Sequence, residues 1–223
     1  ALRGGHMGLS TADFLYLIEG AGMTIVLSIV TMIVSIPIAI LLGLVRAIKS
    51  RNLILLVIQW GIGLGITVIR GTPLLLQLIF VFFGLPFIGI DIPVMGAAFM
   101  ALGVYSVAYL TEIVRTGIDS VATTQWEASV SLGFKYMQTM RLVILPQAFK
   151  IMIPPTVSFF IGLIKDSSLC AVIGIVELSR AGRILVERTY QSLLIFSIVA
   201  MVYFIVCFPL SRFSQKLEKD LTV

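Results

Sequence analysis

About five helices threaded through a lipid bilayer, with no soluble domain beside them: this all-α membrane architecture is what the 223-residue sequence predicts. Three observations carry it. Apolar residues make up 59% of the chain and charged residues only 12%, against about 45–50% and about 25% in soluble domains. The mean hydropathy is +1.09, the opposite of a disordered chain. The few charges are gathered in short clusters, and the runs between them are long enough to cross a bilayer, which takes roughly 20 apolar residues.

Residues 1–6 read as an expression scar, with Met7 as the natural start, leaving residues 7–223 as a single membrane domain. Residues 7–22 carry Asp13 and Glu19 and lack a basic start, so no cleavable signal peptide is expected there. The first uncharged run is 23–45, and the short basic stretch 46–52 follows it. Residues 53–90 are uncharged except for Arg70, too long for one straight span and ambiguous for two. The third run is 92–111. A mixed polar stretch, 119–150, comes next, with Trp126, Val130, Phe134 and Met137 at helical spacing, so one or two short surface helices are expected. Residues 151–164 are apolar, Lys165-Asp166-Ser167-Ser168 interrupts them, and apolar sequence resumes to Val176. Residues 177–188 are charged, 189–211 form the last span, and 212–223 form a polar tail.

Charge bias decides the ambiguity. If 53–90 is one long span kinked at Pro73, there are five spans. Arg46, Lys49, Arg51, Lys135, Arg141, Lys150, Arg212, Lys216 and Lys219 then share one side, with only Arg180, Arg183, Arg188 and the scar's Arg3 opposite. Dividing 53–90 into two spans destroys that bias. The positive-inside rule therefore predicts an outside N-terminus and an inside C-terminus, with 119–150 in the cytoplasm. The same rule accounts for the net charge of +5 without nucleic acid.

Ionised groups within the spans mark candidate functional positions, because each costs several kcal/mol in hydrocarbon. Glu112 and Arg115 share a helix face with Ala108 and Asp119. Asp166 and Lys165 interrupt the fourth span, and Arg70 precedes Gly71-Thr72-Pro73 in the second. A break near Lys165–Ser168 would leave a half-helix N-terminus suited to a carboxylate, while Glu112 and Asp166 suit a cationic group, so a small zwitterion fits. Structural alternatives stand beside this. Glu112 and Arg115 also read as a mutually neutralised pair, Asp166 as a cap for a helix starting at Ser167, and Lys165 as a snorkelling side chain. For Arg70, a snorkel and a bond to broken backbone both stay open. One His and two Cys argue against a metal centre or disulfides, and no catalytic constellation is present.

The run Glu127-Ala128-Ser129-Val130-Ser131-Leu132-Gly133, followed by Ile144-Leu145-Pro146, resembles the EAA loop of ABC importer permeases, with Ser129 in place of the second alanine. Arg70-Gly71-Thr72-Pro73-Leu74-Leu75-Leu76-Gln77, Ala108-Tyr109-Leu110-Thr111-Glu112-Ile113-Val114-Arg115 and Lys165-Asp166-Ser167-Ser168-Leu169 resemble the polar amino acid (histidine/glutamine/arginine type) subfamily. The likeness covers nearly the whole chain after Met23. It implies a type I importer permease: two permease subunits, homo- or heterodimeric, two ATPase subunits inside that carry the ATP and Mg, and an extracytoplasmic binding protein that delivers an amino acid.

On that resemblance, Glu127, Ala128, Gly133, Phe134, Leu145 and Pro146 are the expected ATPase-coupling residues. Glu112, Arg115 and Asp166, with Thr72 and Ser167 as lesser candidates, are the expected substrate site. Gly133 permits a tight bend or a close approach, and Glu127 can cap or pair near its helix start. The chain itself should need no cofactor. Gly61-Ile62-Gly63-Leu64-Gly65 lacks the lysine of a phosphate-binding loop and reads as helix packing, so ATP hydrolysis is expected on the partner. A permease for another small solute and a channel-like membrane subunit are the alternatives. An intramembrane enzyme finds no nucleophile with a base.

Overall fold

The computed structural model describes residues 9–49 and 52–221, and within them there is no strand. The expression scar expected at residues 1–6, with Met7, lies outside the described residues. Five helical stretches are long and apolar enough to cross a membrane, beginning at Thr11, Leu53, Val94, Tyr136 and Ser192, in agreement with the expected count.

Helix α1 (Thr11–Ala47) starts a dozen residues before the uncharged run. A capping box sets its start: the Ser10 N–H donates to Asp13 Oδ2 at 2.8 Å and the Asp13 N–H to Ser10 Oγ at 3.3 Å. At about 1.5 Å per residue, its 37 residues exceed the roughly 30 Å of hydrocarbon, so part of it projects beyond the bilayer.

Helix α2 (Leu53–Gly71) ends at a break rather than the expected kink. Thr72 lies at φ −113°, ψ 142° and Pro73 at φ −62°, ψ 134°. Proline disfavours α geometry in the residue before it and offers no N–H of its own, which stops the ladder. Gln77 of α3 (Leu74–Ile79) covers the severed end, its Nε2 donating to Ile69 O at 2.7 Å and to Thr72 O at 3.1 Å. A π turn (Phe80–Gly84) and a 3-10 turn (Leu85–Ile88) complete this shorter apolar stretch, so 53–88 is a full-length helix followed by a short one.

Helix α4 (Val94–Asp119) is the spine of the bundle and pairs most extensively with α1. Gly43 makes this possible: a Cβ there would sit 2.5 Å from Val114 Cγ1. Leu74 and Leu78 of α3 pack with Ala97, Ala98, Ala101 and Leu102, in the first half of α4.

The 119–150 segment holds α5 (Thr123–Ser131) and α6 (Tyr136–Thr139), but its last fifteen residues are not loop. Tyr136–Ile173 is one helical stretch, through a π turn (Met140–Ile144) into α7 (Leu145–Asp166). Pro146 cannot donate, and just before it the ladder widens, Leu145 N–H reaching back to Met140 O. The helix that carries the fourth span therefore begins before the expected Ile151.

Beyond Asp166 the helix tightens into a 3-10 stretch (Ser167–Ile173), ending at Gly174 with φ 104°. Helix α8 (Leu178–Thr189) and α9 (Ser192–Leu221) follow. Leu17 of α1 packs with Leu178, Ala181 and Leu185 of α8 and with Ile195 and Val199 of α9, a small core at one end of the bundle.

Candidate functional site

Glu112 lies one fifth exposed on α4, and arginines from three helices converge on it. Arg46 of α1 donates from Nη1 to Oε2 at 2.6 Å. Arg115 donates from Nε to Oε2 at 3.2 Å and from Nη2 to Oε1 at 2.6 Å. Arg115 Nη1 also donates to Asp119 Oδ2 at 2.6 Å. Arg70 of α2 stands with Nη1 4.0 Å from Glu112 Oε1.

Glu112 was expected to hold a cationic substrate group; in this structure both of its oxygens accept from this chain's own guanidinium groups. Arg115 is likewise committed to Glu112 and Asp119, and is not free to receive a carboxylate. Sequence reasoning paired Glu112 with Arg115 but missed Arg46, which is 66 residues away and carries no local signal.

Arg70 lies over the Tyr109 ring, 5.1 Å from its centroid. Tyr109 packs 4.6 Å from Tyr105 and stacks 5.6 Å from Phe159 of α7. The broken backbone is served by Gln77 and not by Arg70. Thr72, exposed at the break, donates its hydroxyl to Val68 O at 3.0 Å and accepts from Gln77 Nε2 at 2.9 Å.

Asp166 is half-buried at the end of α7. It caps nothing by its side chain and forms no ion pair among the described residues. The expected half-helix N-terminus beside it does not form: the Ser167 N–H donates to Leu163 O, so no free N–H groups open there. Ser167 is fully buried and donates its hydroxyl to Ile164 O at 2.8 Å. Lys165 is exposed. An apolar cleft of about 480 Å³ between α1, α4 and α7, lined by Ile36, Leu44, Phe149 and Met152, contains none of these residues and does not suit a zwitterion.

On the loop, Gly133 adopts φ 80°, and a Cβ built on it would meet nothing within 4 Å. The positive φ fits the expected tight bend. Gly133 N–H donates to Val130 O at 2.9 Å and Phe134 N–H to Ser129 O at 3.0 Å, a Schellman stop to α5. Glu127 sits mid-helix and exposed, so it does not cap α5; Ala128 is exposed beside it, and Phe134 is half-buried. Leu145 and Pro146 lie at the start of α7 rather than on a surface helix, half-buried and exposed respectively.

Val130, Leu132 and Met137 are 67%, 75% and 70% exposed, an apolar patch around Gly133. Trp126 stacks on Tyr136 at 5.8 Å, with Lys49 Nζ 5.5 Å above the Trp126 ring, so α5 is tied to the end of α1, close to Arg46.

Three further ionisable groups lie at the α8 end. Asp13 pairs with Arg188. Glu177 is fully buried and accepts from the N–H groups of Ser179 and Arg180 at 2.8 Å each and from Tyr203 OH at 3.2 Å. Burial pushes its carboxyl above the usual carboxylate range, against the opposite pull of those hydrogen bonds.

Residues 6–223 match the family of binding-protein-dependent transport system inner membrane components. A probable amino-acid ABC transporter permease of Bacillus subtilis is 37% identical over 211 residues, covering 95% of this chain and 91% of its own length. The glutamine transport system permease of Escherichia coli is 36% identical, covering 93% of each chain, and the arginine transport system permease of Bacillus subtilis is 34% identical, covering 92% of each. A crystal structure of an amino acid ABC transporter with histidines superposes with a TM-score of 0.84 at 31% identity, over 96% of this chain and 99% of that one. An inward-facing methionine ABC transporter shares the fold at a TM-score of 0.79 and 18% identity, over 96% of this chain and 100% of that one.

Proposed function

The chain belongs to the family of binding-protein-dependent transport system inner membrane components, and from that premise we propose that it is the membrane-spanning subunit of an ATP-driven amino acid importer. The observation that carries this is the ionised cluster of Arg46, Arg70, Glu112 and Arg115. Charges within a span persist where they pair or face water. Here most pair, and the partly exposed Arg70, Thr72 and Gln77 form a polar face that lipid would not solvate.

We propose that this face lines the path of a small polar or cationic amino acid. Asp166 receives the cationic group, and Glu112 and Arg115 hold the walls in register through α1 and α4. A second permease subunit closes the path. A Cβ built on Gly61 or Gly65 would meet nothing within 4 Å among the described residues outside their own helix, so both are available to its helices. Charge bias supports an outside N-terminus and an inside C-terminus. The patch of Val130, Leu132 and Met137 then faces the cytoplasm, where apolar side chains beside a rigid turn suit a groove on an ATPase subunit. ATP and Mg belong to that subunit, two copies per transporter, and an extracytoplasmic amino-acid-binding protein supplies substrate from the other side.

The test is uptake into proteoliposomes holding the permease with its ATPase. ATP-dependent, saturable accumulation of labelled L-arginine or L-glutamine that requires a binding protein supports the proposal. Passive flux without ATP would instead match a channel-like subunit.

A further inference from the structure

We infer that Arg70 is the receptor for the α-carboxylate of the transported amino acid, an inference that rests on the amino-acid reading above. Three guanidinium groups surround Glu112, and two are committed. Arg46 and Arg115 donate to it directly, and Arg115 donates onward to Asp119. Arg70 donates no hydrogen bond among the described residues. Its nearest carboxylate oxygen, at 4.0 Å, already accepts from Arg115 at 2.6 Å.

With three cations against Glu112 and Asp119, the cluster carries one uncompensated positive charge, and Arg70 is where it lies open. Its side chain is 40% exposed. Tyr109 covers one face of the guanidinium, which leaves the N–H edge free. A planar fork of unpaired N–H donors within a membrane span calls for an anionic acceptor, and a carboxylate matches it in charge and in two-point geometry.

The position fits a zwitterion. Leu102 in the first half of α4 packs in the core with Leu74 and Leu78, while Tyr109 and Glu112 meet Arg70 in the second half, so the break at Thr72-Pro73 falls near mid-helix depth on α4. From Arg70, the aromatic wall of Tyr109 and Tyr105 runs onto Phe159 of α7, which lies two helical turns before Asp166 on the same helix face. A carboxylate held at Arg70 thus leaves the cationic part of the same molecule directed along an aromatic wall toward a carboxylate without an ion-pair partner.

The experiment uses the permease–ATPase complex in nanodiscs without binding protein. Equilibrium binding of L-arginine and L-glutamine is compared with that of argininamide and glutaminamide, whose α-carboxylates are replaced by neutral amides. The wild type should prefer the acid over its amide by at least about tenfold. Arg70→Gln should abolish that preference while leaving amide binding within about twofold, and Arg70→Lys, which keeps the charge but not the fork, should retain part of it. Unchanged preference in Arg70→Gln, or equal weakening of acid and amide, would overturn the inference. So would dissociation of the permease pair on size exclusion, which would show Arg70 bonding a carboxylate of the second subunit. A wild-type complex that takes up neither amino acid with ATP defeats the transport reading itself, and this inference falls with it. One that transports but ignores the carboxylate defeats only Arg70.

Discussion

Replacing Glu112 with Gln removes the one anion that Arg46 and Arg115 share, at a site only 20% exposed. The isosteric amide keeps the shape, accepts on one oxygen only, and turns its NH2 toward a guanidinium. Breaking a fully buried ion pair from one side costs about 3–5 kcal/mol, because the surviving charge is stranded. Partial exposure and Asp119, which still neutralises Arg115, reduce this to about 2–3 kcal/mol. For a chain of this length, about 2–4 °C per kcal/mol gives a fall in Tm of roughly 4–12 °C. Thermal unfolding of the purified complex, followed by loss of the monodisperse peak on heating, measures it. Because the damage comes from stranded arginines, adding Arg115→Gln to Glu112→Gln should recover at least half of the loss. A Tm for Glu112→Gln within about 2 °C of the parent, or strictly additive losses in the double variant, would refute the shared-anion network.

Three further outcomes are expected. Gly133→Ala places a side chain at φ 80° with free space around it, so the cost is backbone strain alone, about 1–2 kcal/mol, and uptake should fall while membrane insertion is unchanged. Leu132→Glu, at a side chain 75% exposed, should leave Tm within about 1 °C yet lower retention of the ATPase on an affinity-tagged permease; full retention would remove the patch from the coupling surface. Glu177, its carboxyl raised by burial, binds its proton more tightly when folded than when unfolded, so its contribution to stability is present at acid pH and falls as pH rises from the ordinary carboxylate value through the raised one. Glu177→Gln should therefore flatten the Tm profile across that window, and an unchanged profile would place the pH dependence elsewhere.

Much of the architecture is legible along the chain. Uncharged runs set the number of spans, because hydrocarbon selects length and apolarity residue by residue. Thr72-Pro73 marks an interruption in the second span because proline acts on its own peptide bond and its neighbour's. Gly133 marks a turn for a similarly local reason. Helix ends were less visible. Thr11 to Gly22 and Tyr136 to Lys150 look too polar to belong to spans, yet both are helical, since helices continue past the hydrocarbon when packing supports them. Leu17 against α8 is such a case, as is Ile144 against Ile118 and Val121.

The site divides in the same way. Glu112, Arg115, Asp166 and Arg70 are conspicuous in the sequence, because a charge among apolar residues is costly wherever it sits. Which of them is consumed and which is open is not written there. Arg46 looks like an ordinary cytoplasmic end to its span, and only the packing of α1 on α4, with Gly43 against Val114, brings it to Glu112 at 2.6 Å. Ser167 looks like a cavity hydroxyl until the tightening of the helix turns it onto Ile164 O. Hydrophobic cost is a property of each residue and can be read in one dimension, whereas the pairing of charges depends on distances of a few ångströms between helices far apart in the chain, so it is decided only when they pack.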